Sequence, residues 1–347
     1  SAGAQQVAQA VAAVEAAIKA AEDTVDPKLL PELYRALQLS IHAREAESPN
    51  EPEAQCCEHE HEAEPHANKR RRTDNPRMTI EAIRQWIRGR HPLVGTLESE
   101  SLVFAGTGDF ADCSDANTIS VDSFLYDEGD LVELEEQNKL PRAFCKTCGS
   151  RDTAPLTFIS HSFGVSELFF IFETALPEVK GKRLLDVGSR LGAVLFAAAA
   201  VGQVGEAIGV EMNEDLCKLQ REALSAFPEV TKGCQIKVVC ADIASQADLL
   251  ATADVIVLHN VFQFFVETAQ ARSLWDMLRK SLRSGTTIIS SPSIEQQLKD
   301  AEMKDATSVV GSWLTPVELT YPMGTGDEDD IDDQGLLFTA IHKYTVR

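Results

Sequence analysis

The chain has 347 residues, more than the roughly 250 to 300 at which a single core stops growing, so one large domain with appended segments is expected. Apolar residues make up 44%, enough for a sizeable core, while 32 Lys and Arg against 54 Asp and Glu leave a net charge of −22, which argues against a surface devoted to nucleic-acid phosphates. No apolar run reaches the roughly 18 to 20 residues of a membrane-spanning helix, and residues 1–6 lack the start of a signal peptide, so the expectation is a cytoplasmic or nuclear protein with reduced cysteines.

In chain order, residues 1–45 read as a helical hairpin. Val7, Val11, Val14 and Ile18 form one apolar stripe, and Leu30, Leu33, Leu37 and Ile41 a second, with Asp26 and Pro27 opening the second helix. Such a pair packs on itself or on the main domain, and it could also serve a partner or a dimer. Residues 46–76 lose all apolar periodicity and read as a flexible linker. It carries a Cys/His tract (Cys56, Cys57, His59, His61 and His66) and a basic tract from Lys69 to Arg72.

Residues 77–154 read as an accessory region. Thr79 can cap a helix bearing Ile80, Ile83 and Ile87 that ends near Gly89. Short apolar runs at 102–105 and 119–126 are set among acidic turns. Residues 155–347 are strongly patterned. Helical signal covers 165–176, 191–201, 214–227, 246–250 and 267–282, and strand signal covers 183–187, 206–210, 236–240, 254–259 and 286–290. Strands alternating with helices imply an α/β fold, a mostly parallel sheet covered on both faces.

Four strand ends carry chemistry. The first strand runs into Asp186, Val187, Gly188, Ser189, Arg190, Leu191 and Gly192. Its two glycines let the backbone turn sharply and let a ligand approach closely. Glu211 ends the second strand, where a carboxylate can accept two ribose hydroxyls. Asp242 and Ile243 follow the third and could bond and pack against an adenine. His259, Asn260, Val261 and Phe262 end the fourth. Their order points to a nucleoside-containing ligand at the strand carboxyl ends.

On these residues the chain from about 155 to 347 resembles the class I S-adenosylmethionine-dependent methyltransferases, with Arg190 standing where a glycine is usual. The resemblance implies a Rossmann-like, seven-stranded doubly wound sheet closed by an antiparallel hairpin of residues 313–320 and 336–344. It implies S-adenosylmethionine as cofactor, bound by Asp186, Gly188, Ser189, Gly192, Glu211, Met212, Asp242, Ile243 and His259. A nicotinamide enzyme is the competing reading, but it wants the full glycine triplet.

Methyl transfer from a sulfonium needs alignment and exclusion of water more than a catalytic triad. His259 is a candidate general base, or a strand-end histidine satisfied by backbone, and Asn260 a candidate amine or amide holder. Phe262, Phe264 and Phe265 are pocket or core. Cys145 and Cys148 have the spacing of half a zinc site; without a second pair, zinc is not favoured. Acidic residues 327–333 lie in a loop beside the expected acceptor side. The acceptor is expected to be a protein or a small molecule rather than DNA or RNA. The alternative is a methyltransferase-like binding or scaffold protein without turnover.

Overall fold

The computed structural model describes residues 75–94, 97, 99–100, 114, 117–141, 143–145, 153–155, 157–262, 266–321 and 338–347. The chain divides into two units, Ser1–Arg70 and Arg71–Arg347, and every described residue lies in the second. The expected hairpin at 1–45, the Cys/His and basic tracts, Cys148, Phe264, Phe265 and the acidic loop at 327–333 lie outside the described residues.

Helix α1 is Pro76–Arg88. Its cap is Asn75, whose side chain accepts from the Arg77 amide at 2.9 Å, and not Thr79 as the sequence led us to expect. Pro76 at the first helical position fixes that start, because its missing N–H is one the helix would leave unpaired anyway. Gly89 closes the helix as expected. Strand β1 (Thr118–Ser120), helix α2 (Glu128–Glu136) and strands β2 (Ala143–Cys145), β3 (Thr153–Pro155) and β4 (Thr157–Ile159) follow. β1 pairs in parallel with β4, and β2 antiparallel with β3. Arg84 and Arg88 on α1 reach the Leu125 carbonyl and Asp130, binding α1 to the α2 segment.

Helix α3 (Val165–Phe170) widens into a π turn at Ile171–Ala175. The remaining elements alternate: β5 (Arg183–Val187), α4 (Ala193–Ala200), β6 (Glu206–Glu211), α5 (Glu214–Ala226), β7 (Gln235–Cys240), α6 (Ala247–Thr252), β8 (Val255–His259), α7 (Thr268–Ser281) and β9 (Thr287–Ser291). Helices α8 (Ile294–Asp300) and α9 (Ala306–Trp313) then lead to β10 (Leu314–Val317) and β11 (His342–Val346). The main sheet has seven strands in the order β10-β11-β9-β8-β5-β6-β7. β11 is antiparallel to both its neighbours, so it alone runs against the other six. The closing hairpin pairs Leu314 with Val346 and Val317 with Lys343.

The central strands are apolar on both faces. Leu184, Ala207, Val255, Val257 and Ile289 join the core beneath α1, α3, α4 and α5. Leu185, Ile208, Ile256, Leu258 and Ile288 join a second core beneath α6 to α9. Alternate side chains of each strand thus enter opposite cores, and both need helices over them. Ile80, Ile83 and Ile87 of α1 belong to the first core, so α1 is built into the sheet's packing. Among the described residues no helix is long and apolar enough to cross a membrane.

From β5 the chain passes to β6 on one side, whereas β8 lies on the other. This reversal opens a crevice at the carboxyl ends of β5 and β8. Close packing behind it relies on Gly209 of β6. A Cβ there would stand 2.5 Å from Ser189 Oγ and 2.7 Å from Leu195 Cδ1. Gly209→Ala should therefore destabilise the protein by about 1–3 kcal/mol, the cost of forcing an extra carbon into a filled core. Chemical denaturation of the two proteins checks this, and equal midpoints would count against it.

Candidate active site

A cavity of about 310 Å³ opens at the crevice. Gly188, Glu211, Met212, Asp242, Ile243 and His259 line it, as do Ser99, Glu100, His161, Arg190, Val261, Phe262, Val266, Gln270 and Leu274. Asp186, Ser189, Gly192 and Asn260 are not among its lining residues.

The turn after β5 is held by its own amides. Gly188 and Ser189 donate to the Val210 carbonyl at 2.8 and 3.1 Å. Arg190 N–H donates to Glu211 Oε2 at 2.9 Å, and Gln220 Nε2 donates to the Arg190 carbonyl at 2.7 Å. Ser189 points inward, its hydroxyl 3.1 Å from Gln220 Oε1. Gly188, Arg190 and Gly192 all have positive φ, at 74°, 41° and 81°. Gly192 caps α4 in the left-handed conformation and so delays that helix to Ala193.

Glu211 ends β6 and is buried. Its Oε1 accepts from Asn213 N–H at 2.9 Å, while Oε2 takes the Arg190 amide. Each oxygen keeps further acceptor capacity, and the residue lines the cavity. Burial pushes its pKa up, opposed by those two amide bonds. Asp186 lies behind it, and burial, with Glu211 nearby, pushes its carboxyl up to about 8. Asp242 is exposed and caps a short turn, Oδ1 accepting from Ala244 N–H at 2.8 Å, with Ile243 buried beside it. Met212 stands 65% exposed at the rim.

Against the opposite wall, the His259 ring lies 3.9 Å from that of Phe163. Burial holds His259 down to about 3, and burial plus the Arg190 charge holds His161 down to about 3. Both rings are therefore neutral near pH 7, and a base this weak accepts a proton poorly. The arrangement favours a hydrogen-bonding role for His259 over general-base work. Asn260, at φ 50°, donates its amide to the Ser291 carbonyl, and its side chain sits 3.4 Å from His259 Nε2.

Two observations bear on whether a nucleoside cofactor fits. A Cβ at Gly188 would stand in contact with Val261, at 3.5 Å, so glycine keeps that space for a ligand to approach the backbone. His259 Nδ1 is buried without a hydrogen-bond partner among the described residues. A carboxylate pre-oriented by two amides, a turn that begins with glycine and an apolar wall suit a ribose, a ligand tail and a base. Among the described residues no group of three or more His, Cys, Asp and Glu side chains could hold a metal. Cys148 lies outside them, as does the side chain of Cys145.

Residues 174–323 match the model of a family described as Histone methylation protein DOT1. That match supports the class I S-adenosylmethionine-dependent methyltransferase superfamily for this chain. Among solved structures it is similar to an RNA methyltransferase from Salinibacter ruber in complex with S-adenosyl-L-homocysteine, at 18% identity over 53% of this chain and 93% of that one, with a TM-score of 0.34. It is similar to magnesium protoporphyrin IX methyltransferase from Synechocystis with bound S-adenosylmethionine, at 15% identity over 53% and 77% of the chains and a TM-score of 0.35. An N-methyltransferase from Bradyrhizobium japonicum gives 14% identity over 52% and 93%, with a TM-score of 0.35. Likeness at this level carries no argument about chemistry. No curated protein matches the sequence.

Several cavity residues of this methyltransferase escape sequence reasoning. Glu100 and His161 come from irregular connections with no periodicity to mark them. Gln270 and Leu274 were findable, since they lie four apart on the helix that follows the fourth strand end.

The raised Asp186 pKa has a consequence for stability. The unfolded carboxyl titrates near its ordinary value of about 4, so between about pH 4 and 8 the folded state holds a proton that the unfolded state has lost. This contribution favours folding at low pH and is lost as pH rises through that window. Asp186→Asn, uncharged throughout, should lose less stability than the wild type between about pH 5 and 8. Thermal unfolding across that range measures it, and parallel curves for the two proteins would contradict the burial argument.

Proposed function

We propose that this methyltransferase moves a methyl group from S-adenosylmethionine to a protein acceptor, and that the cavity at the ends of β5 to β8 is where it does so. The observation that carries the reading is Glu211, whose two oxygens are oriented by the Arg190 and Asn213 amides at the cavity wall. When bound, the cofactor supplies a methyl group already activated by positive sulfur. The chain's own residues then have four tasks. Glu211 receives ribose hydroxyls, and Asp242 with Ile243 borders the base. The glycine at 188 leaves room for close backbone approach. Neutral His259, backed by Phe163, offers an uncharged hydrogen-bonding edge to the acceptor side. Val261, Phe262, Val266 and Leu274 keep water from the cavity. In this reading residues 155–347 form the catalytic domain, and the 77–154 segment supplies part of the cavity wall through Ser99 and Glu100.

Two observations support a protein acceptor. The matching family is described by its action on histones. The net charge of −22 favours encounter with a basic protein and disfavours a bare polyanion. We propose an amine of a basic, histone-like protein as the acceptor class.

Glu211→Ala should weaken S-adenosylhomocysteine binding by roughly 1 to 3 kcal/mol, the cost of unpaired ribose hydroxyls. Calorimetry measures it, and unchanged affinity would remove Glu211 from the site. With labelled cofactor, core histones should take up label and bare RNA or DNA should not. Robust labelling of nucleic acid and none of protein would overturn the acceptor assignment.

A further inference from the structure

Arg190 occupies a turn position that glycine would fill without strain. Its φ of 41° lies in the left-handed region, which a residue with a Cβ enters only when its surroundings insist. The main chain is tied from behind, by Glu211 on its amide and Gln220 on its carbonyl. The side chain is held from the other direction by charge, its Nε and Nη1 in ion pairs and none of its three nitrogens in a hydrogen bond among the described residues. It is buried, with Nη1 3.5 Å from Glu100 Oε1 and Nε 3.5 Å from Asp122 Oδ2. Both acids are buried as well, at 5% and 1% side-chain exposure.

The acids are themselves anchored. Glu100 Oε2 accepts from the Leu97 amide at 2.8 Å. Asp122 accepts from the Phe124 amide at 3.0 Å and from Ser162 Oγ at 2.7 Å. All of these anchors come from the chain before β5. A buried arginine set between two buried acids is costly to remove, since its loss leaves both carboxylates without a cation away from water.

We propose that Arg190 is a positioning residue: its guanidinium, gripped by Glu100 and Asp122, clamps the 188–192 turn in its left-handed course, so that the segment before β5 completes the cofactor site. The inference rests on the reading of this cavity as the cofactor site. The clamp acts through the turn. Gly188 and the Arg190 amide, which presents Glu211, keep their places because the Arg190 side chain cannot swing away.

The test uses the full chain as wild type, Asp122→Asn, Arg190→Gly, Arg190→Lys and the Asp122→Asn, Arg190→Gly double variant. Two readouts are taken: hydrogen exchange of the amides at 188–192 in the free protein, and calorimetric affinity for S-adenosylhomocysteine. In Asp122→Asn, which keeps the shape of the side chain, those amides should exchange about tenfold faster, with the β8 and β9 amides unchanged. Affinity should fall about tenfold in Asp122→Asn and in Arg190→Gly, although glycine relieves the backbone strain, and the double variant should be no weaker than Arg190→Gly alone. Arg190→Lys keeps the charge and should recover most of the loss.

Arg190→Gly binding as tightly as the wild type would overturn the clamp, as would additive losses in the double variant. Should Arg190→Gly fail to fold, Asp122→Asn decides: unchanged exchange at 188–192 refutes the clamp whatever the ligand does. A wild type that binds no S-adenosylhomocysteine refutes the cofactor reading instead, and the exchange result then judges the clamp by itself.

Discussion

The site depends on one carboxylate. Glu211 accepts the Arg190 amide on one oxygen and the Asn213 amide on the other, and so joins the turn after β5 to the turn after β6. Neither turn could be displaced without leaving a buried N–H or a buried carboxylate oxygen unpaired, each a loss of about 1–3 kcal/mol. Gln220 adds a second tie from α5, accepting from Ser189 and donating to the Arg190 carbonyl. The crevice is thus lined by main chain whose hydrogen bonds are already made. A ligand meets a surface that need not reorganise, which lowers the cost of binding.

That rigidity follows from the sheet. β5 is paired on both edges, with β6 and β8, and sealed on both faces by the two cores. Its end can be placed sharply because nothing above or below it is free to move. The same sealing explains the unusual protonation of the site. Asp186 and the two histidines sit where water cannot solvate a charge, so the carboxyl holds its proton and the imidazoles stay without one.

Much of this was legible in the sequence, for identifiable reasons. β5 spans 183–187 as read, because a short apolar run bounded by basic residues and an Asp-x-Gly turn leaves few alternatives. Glu211, Asp242 and His259 were legible because strand ends announce them. The start of α1 is ambiguous in the sequence, since Asn75 and Thr79 can both cap a helix, and Pro76 at the first helical position decides for Asn75. The role of Arg190 was not legible. A sequence shows a missing glycine, whereas the acids that steady its side chain lie 90 and 68 positions earlier and meet it only in the folded chain. Asp186, Ser189 and Gly192 belong to the motif by position, yet they shape the turn from behind rather than face the cavity.

The order of strands also bears on how the molecule is assembled. β10 comes before β11 in the chain but lies outside it in the sheet, so it has no partner until β11 has inserted beside β9. Until then the outer edge of β9 carries open backbone groups next to Ile288 and Ile289, a short template on which a second nascent chain could pair. The polar and β-branched face of β11, with Lys343 and Thr345 against Ile289 and Thr287, ends that exposure once it arrives. Any chaperone that serves this protein during synthesis has its clearest task there, shielding one strand edge for the time the chain takes to supply its cover.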